Sequence, residues 1–187
     1  MKYYKIYGVV ILYHPEPNVL KNIGTYINGI ERLYVIDNSE IKDLELIEKI
    51  KDLSTKITYI DNNGNKGIAC ALNIGAQLAI EDGATWILTM DQDSRFEKES
   101  LQVLIKWITS NDTEKVGIIS PYHLINNISY KSEDRVIDKL TVITSGNLLN
   151  LEVYKKIGPF EEKYFIDSVD HEYCLRLRKN AFLIKVH

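Results

Sequence analysis

The stretch TWILTMDQDS (Thr85–Ser94) joins an apolar run to two carboxylates spaced two residues apart. The run is too short and too uniformly apolar for an exposed amphipathic helix. It fits a strand buried on both faces of a parallel sheet. In extended geometry Asp91 and Asp93 point to one side. Such a pair at the mouth of a sheet suits a hard divalent cation, Mg2+ or Mn2+, that keeps several waters and bridges substrate phosphates. D-x-D also occurs by chance in solvated loops, so its meaning depends on what surrounds it.

Working outward, four more runs have the same character: Ile6 to Tyr13 (IYGVVILY), Arg32 to Asp37 (RLYVID), Lys56 to Asp61 (KITYID) and Val116 to Ser120 (VGIIS). Helical stretches lie between them. Ile41, Leu44, Ile47, Ile50 and Leu53 repeat every three residues and read as one apolar stripe. Gly67 to Glu81 is alanine-rich and ends at Gly83, a fitting C-terminal cap. Leu101, Leu104, Ile105 and Ile108 make a further stripe. Strand–helix alternation implies right-handed crossovers and an α/β three-layer sandwich around a mostly parallel central sheet. After Pro121 the rhythm breaks. Asn126 to Lys139 is polar and reads as a surface excursion, Leu140 to Leu149 as a mixed strand, and Glu152 to Lys156 as a short helix stopped by Gly158-Pro159. Val169 to Asn180 reads as the last helix and Phe182 to Val186 as a strand at the terminus. The expected organisation is one domain, 1–187, whose pattern changes between 1–120 and 121–187.

The composition narrows the function classes. A net charge of −3, with 26% charged residues of both signs, argues against a basic nucleic-acid module and against a disordered acidic tail. The apolar runs are far shorter than the ~20 residues of a membrane helix. MKYYKIYG lacks the features of a signal peptide. Cys70 and Cys174 are far apart and read as reduced thiols of a cytoplasmic protein.

In an open parallel sheet, ligands bind beyond the carboxyl ends of the strands. Four of the strands end in polar residues: Tyr13-His14, Asp37-Asn38-Ser39, Asp61-Asn62-Asn63 and Asp91-Gln92-Asp93. Strand ends are polar wherever loops begin, but three acidic ends are harder to explain so. Clustered carboxylates repel unless a cation or donor satisfies them. The segment NGNKGIACALNIG (Asn63–Gly75) is a loop turning into a helix. Asn65 and Lys66 can reach a nucleotide or diphosphate there, or serve as an exposed cap. Asn73, six residues into the helix, either faces the site or simply caps or solvates. In FIDSVDHEYCLRLRK, Asp170 stands near a helix start, where a carboxylate also complements the macrodipole. His171 beside it suits metal ligation or acid–base work, although an exposed helical His is the commoner case.

Taken together, VVILYHPEP, VIDNS, NKGIACALNIG, DQDS and TSGNLLNLEVYKKIGPFEEKYFIDSVDHEYCLRLRKNAF stand in the order found in the family 2 glycosyltransferases. The chain resembles that family over nearly its whole length, with its A-type nucleotide-diphospho-sugar transferase fold. The YHP turn and the FID-x-VD-x-E-x-C-x-R run are most similar to the rhamnosyltransferase branch. The resemblance implies roles. Tyr13 and Asp37 would contact the base and ribose, with Asn65 and Lys66 beside the nucleotide. Asp91 would face ribose and metal, and Asp93 would bind the metal. Gly146 and Asn147 would line the donor-sugar or acceptor pocket, and Asp170 would be the general base. It implies inverting transfer from a nucleoside-diphosphate sugar to a saccharide or lipid-linked acceptor in cell-surface polysaccharide synthesis. The expected location is cytoplasmic, with peripheral association of the full-length protein at the inner membrane face. Members of the family continue beyond the point matching His187 and often supply a metal-binding His there, so the chain reads as C-terminally truncated.

Three other readings stay open on the residues alone. One is a nucleotide-sugar-binding module without turnover. A second is a haloacid-dehalogenase-like phosphatase with Asp91 as nucleophile, although Arg95 replaces the usual Thr or Val and three strands precede the motif. Dinucleotide binding fares worse, because no G-x-G-x-x-G follows the first strand. Nothing glycine-rich and basic after that strand supports a nucleotidyltransferase.

Overall fold

The computed structural model describes residues 3–123 and 136–187. Eight strands form one sheet in the order β3-β2-β1-β4-β7-β5-β8-β6. They are β1 (Ile6–Leu12), β2 (Arg32–Asp37), β3 (Ile57–Asp61), β4 (Trp86–Asp91), β5 (Val116–Ser120), β6 (Ile137–Asp138), β7 (Asn147–Asn150) and β8 (Leu183–Val186). Strands β1 to β4 pair in parallel, β7 runs antiparallel between β4 and β5, and β8 returns parallel to β5. The chain leaves β1 toward β2 and β3, then crosses back to β4 on the other side. The strand order therefore reverses between β1 and β4, which is where an open α/β sheet forms its crevice.

Helices cover both faces: α1 (Val19–Gly24), α2 (Leu44–Asp52) and α4 (Ser100–Ser110) on one, α3 (Gly67–Glu81), α5 (Leu151–Ile157) and α6 (Val169–Lys179) on the other. Alternate side chains of the central strands feed the two cores. Val9 and Ile11 pack under α3, and Val10 and Leu12 under α1 and α2. Helix α3 lies so close to β1 that a Cβ on Gly75 would stand 2.5 Å from Val9 Cγ2.

The α/β sandwich and its mostly parallel sheet stand as expected, and most strands begin or end within a residue of the apolar runs. Several local expectations need correction. The stripe from Ile41 to Leu53 holds only at Ile47 and Ile50, which are buried with Leu46, whereas Ile41 is 80% exposed and Leu44 72%. Residues three apart turn 300° around a helix, so five of them drift off any single face. Asp43 instead caps α2 by accepting from the Leu46 N–H, which fixes its start beyond Ile41. Strand β3 is only partly covered, because it lies at the sheet edge. The strand expected over Leu140–Leu149 is a loop until Asn147, since Gly146 adopts φ +83° and interrupts extended pairing. Of the polar excursion Asn126–Lys139, residues 126–135 lie outside the described residues, while Ile137–Asp138 pairs with β8. Helix α1, six residues in length, carries too short a pattern to read from sequence.

Candidate active site

The carboxyl ends of β1, β2, β3 and β4 all open on one rim, and two acidic groups form there with different chemistry. The first belongs to β2 and β3. Asp37 is buried, and its carboxylate accepts from Tyr59 Oη at 2.7 Å and from the Ser39 N–H at 2.8 Å. Lys42, a residue the sequence reading passed over, places its ammonium 2.9 Å from Asp61 Oδ1 and 3.7 Å from Asp37 Oδ1, and also donates to the Ser39 carbonyl. The Lys42 hydrogen bond, with the Asn63 N–H, holds the Asp61 carboxyl below its usual range. Burial, and then the bond to Asp37, raise the Tyr59 hydroxyl. Two of the three acidic strand ends therefore already have a cation of their own chain. Lys42 had no local signal, because the Asp61 it reaches lies nineteen positions along the chain.

The second group has no such partner. Asp91, at the end of β4, is pushed up to about 6, first by burial and then by the charges of Asp93 and Asp170. Asp170 enters from the second residue of α6, on the other half of the chain. Among the described residues, no Lys or Arg pairs with Asp91, Asp93 or Asp170. Asp170 instead accepts from its neighbour His171, at 2.7 Å from the backbone N–H and 2.9 Å from Nδ1. His171 is mostly exposed and reaches the site only through that bond.

The residue between the paired aspartates fixes the loop. Gln92 Oε1 accepts from the Tyr13 N–H at 2.8 Å and Nε2 donates to the Tyr13 carbonyl at 3.0 Å. Asn22 Nδ2 donates to the Gln92 carbonyl, and the Asp91 N–H donates to Ser145 Oγ. The Asp91–Asp93 turn is thus tied to the end of β1, where Tyr13 leaves its ring 45% exposed. An exposed aromatic at the sheet mouth offers a stacking face. Asn65 Oδ1 accepts from the Gly67 N–H and so shapes the turn into α3, with Lys66 exposed beside it.

Gly146 donates its N–H to the Thr89 carbonyl, and Asn147 gives Nδ2 to the Ile143 carbonyl. Asn147 Oδ1 and Tyr173 Oη are buried without a partner among the described residues. Asn147, Thr144, Thr89, Tyr173 and Asp170 line one cleft. Asn147 stands out in the sequence as a pocket residue; Tyr173 and His123 do not. His123 packs by Gly146, bonds Ser120 Oγ at 3.3 Å, and is kept neutral more readily by burial.

The structure brings Asp91 and Asp170 together in charge and sets Tyr13 against Gln92. It places Asp37 in a separate, self-neutralised pocket on the same rim. Among the described residues, no three His, Cys, Asp or Glu side chains by themselves form a metal-binding group. The donor set fits a divalent cation all the same: the hard carboxylate oxygens of Asp91 and Asp93 have no counter-charge among the described residues, and such ions keep water and phosphate ligands. No described helix is long and apolar enough to cross a membrane.

Known proteins share this fold. The structure of GalNAc-T7 with UDP, GalNAc and Mn2+ superposes with a TM-score of 0.75 at 12% identity, covering 98% of this chain and 42% of that one. S. aureus TarS 1–349 in complex with UDP gives 0.68 at 16%, covering 98% and 57%. In sequence, the dTDP-rhamnosyl transferase RfbF of Shigella flexneri is 31% identical over 97% of this chain and 66% of its own length. The low-salt glycan biosynthesis hexosyltransferase Agl10 of Haloferax volcanii is 24% identical over 92% and 61%. The chain thus spans about two thirds or less of these curated relatives. The model of glycosyl transferase family 2 matches residues 9–181, from the first core strand to the turn after α6, and the chain belongs to that family.

Proposed function

We propose that the protein is a metal-dependent, inverting glycosyltransferase that moves a sugar from a nucleoside diphosphate to a saccharide or lipid-linked acceptor in cell-surface polysaccharide synthesis. The name of the Shigella relative favours dTDP-rhamnose as donor. The observation that supports the reading is that Asp91, buried at the end of β4, feels the charges of Asp93 and Asp170 while no Lys or Arg pairs with any of the three among the described residues. Such a group is costly in the empty protein and is relieved by what it binds.

Asp91 and Asp93 would hold the cation. Bound there, it would neutralise charge developing on the leaving diphosphate. The protein's own groups do the rest. Tyr13 offers its ring to the base, and Gln92 ties the Tyr13 backbone to the Asp91–Asp93 turn. Asp37, Asn65 and Lys66 border the nucleotide, and Gly146 and Asn147 border the sugar or acceptor. Asp170 takes the proton of an acceptor hydroxyl as that oxygen attacks the anomeric carbon. The C–O bond to the diphosphate breaks as the new one forms, so a single displacement inverts the centre. A cytoplasmic location, with the full-length protein at the inner membrane face, belongs to the same proposal.

Incubating the full-length protein with Mn2+ and a panel of nucleotide sugars, dTDP-rhamnose included, tests it. Nucleoside diphosphate release with transfer is expected. A folded protein that transfers from no donor overturns it, and calorimetric nucleotide binding in that same protein would favour a binding module. Family membership speaks against an aspartate-nucleophile phosphatase, and failure to trap a phosphoaspartate analogue at Asp91 would close that reading.

A further inference from the structure

We propose that Asn73 is a positioning residue for Asp170, locking the segment that leads into α6 onto the helix that starts at the nucleotide loop. The inference rests on the reading of Asp170 as the base. An asparagine side chain can make four hydrogen bonds, two as donor and two as acceptor, and Asn73 makes all four. Its Nδ2 donates to the Phe160 carbonyl at 2.9 Å and to Glu162 Oε1 at 3.1 Å. Its Oδ1 accepts from the Phe160 N–H at 2.9 Å and from Tyr154 Oη at 2.9 Å. One amide thus holds both backbone groups of Phe160, a residue 87 positions away.

Phe160 passes the constraint on. Its ring packs on Tyr173 with centroids 4.3 Å apart. Tyr173 follows Asp170 by three residues on α6, about one turn later. The far end of the segment is fastened to α3 as well. The Ile68 N–H donates to the Phe165 carbonyl at 2.6 Å, and a Cβ on Gly67 would stand 2.6 Å from that same oxygen. The near end is held by Arg176, which donates to the Ile157 and Pro159 carbonyls. Residues 157–165 are therefore clamped between α3, which begins beside Asn65 and Lys66, and α6, which carries Asp170. Asn73 is the central fastening, and the only one of the three that makes paired bonds to a single backbone unit. A base displaced by about 1 Å can cost ~10²-fold in rate, so this clamp acts on turnover and not on donor affinity.

The test compares full-length wild type with Asn73→Asp, Asn73→Ser and Tyr154→Phe. Three quantities are read: nucleoside diphosphate affinity with Mn2+ by calorimetry, kcat and acceptor KM, and amide hydrogen exchange across the chain. Asn73→Asp removes both donors and sets a second carboxylate against Glu162. Its kcat should fall about 10²-fold with nucleotide affinity within about twofold of wild type, and exchange should rise at Phe160 and over residues 168–173. Tyr154→Phe leaves both bonds to Phe160 and should stay within about threefold. Adding Glu162→Gln to Asn73→Asp should restore part of kcat, a recovery that a general loss of folding would not show. Should Asn73→Asp fail to fold, Asn73→Ser is read by the same criteria. Wild-type kcat in a folded Asn73 variant overturns the proposal, as does parallel loss of nucleotide affinity or an even rise in exchange over the whole chain. If wild type itself transfers nothing, the functional reading has failed, and exchange alone decides the clamp: a rise confined to residues 160–173 supports it, and no rise contradicts it.

Discussion

Two acidic groups share one rim of the sheet and differ in a single respect. Asp37 and Asp61 are bridged by Lys42 and further satisfied by Tyr59 and Ser39. The charges of Asp93 and Asp170 both act on Asp91, none of the three pairs with a Lys or Arg among the described residues, and Asp91 is driven up to about 6, first by burial. Acidic strand ends alone therefore do not mark a cation site. In the proposed function what marks it is the lack of a counter-charge among the described residues, and that is visible only once distant residues are placed together.

The contrast should break first at Asp170. Asp170→Asn removes the proposed base and should lower transfer by about 10²–10⁴-fold, with nucleotide binding largely intact. Full activity in that variant would strip Asp170 of its role. Next in size is Lys42→Met. It leaves the buried Asp37 charge without its cation, which costs about 3 kcal/mol and should lower the melting temperature by about 6–12 °C in a chain of this length. Asp37→Asn in the Lys42→Met background should recover much of that loss in thermal melts, whereas no recovery would mean Lys42 is not the counter-ion.

The two groups should then respond with opposite sign to loss of charge. In metal-free protein, Asp91→Asn should raise stability by about 1 kcal/mol and Asp37→Asn should lower it by a similar amount. The sign follows from direction. A carboxyl raised from 3.8 to about 6 weakens the fold as pH rises through that interval and carries its full penalty above it. The gain from Asp91→Asn should therefore be present in melts at pH 8 and fade near pH 4. The smallest effect is expected for Gln92→Ala. It frees Tyr13 from the Asp91–Asp93 turn and should weaken nucleotide binding with Mn2+ by about threefold, the equivalent of a weak hydrogen bond. Its stability should change by less than about 1 kcal/mol.

Much of this was legible in the sequence, for identifiable reasons. The central strands β1, β2, β4 and β5 are buried on both faces and write themselves as unbroken apolar runs. The edge strand β3 and the short helix α1 do not. Gly67–Glu81 matched α3 residue for residue because small residues let it lie against β1, with Gly75 meeting Val9. The order of the motifs pointed to the family that the comparisons show. Asn73 was undecided from sequence, because its partners Tyr154, Phe160 and Glu162 lie more than eighty positions away. Lys42 and Tyr173 were missed on similar grounds: a lone lysine in a loop and a tyrosine on a helix signal nothing until tertiary packing gives them neighbours.

The most direct measurement is calorimetric titration of Mn2+ together with a nucleoside diphosphate into wild type, Asp93→Ala and Asp61→Ala. The uncompensated group should be the only one that needs the ion. Wild type and Asp61→Ala should bind the pair with similar affinity, and Asp93→Ala should lose the Mn2+-dependent part of binding. Equal loss in both variants, or wild-type binding indifferent to Mn2+, would contradict the assignment.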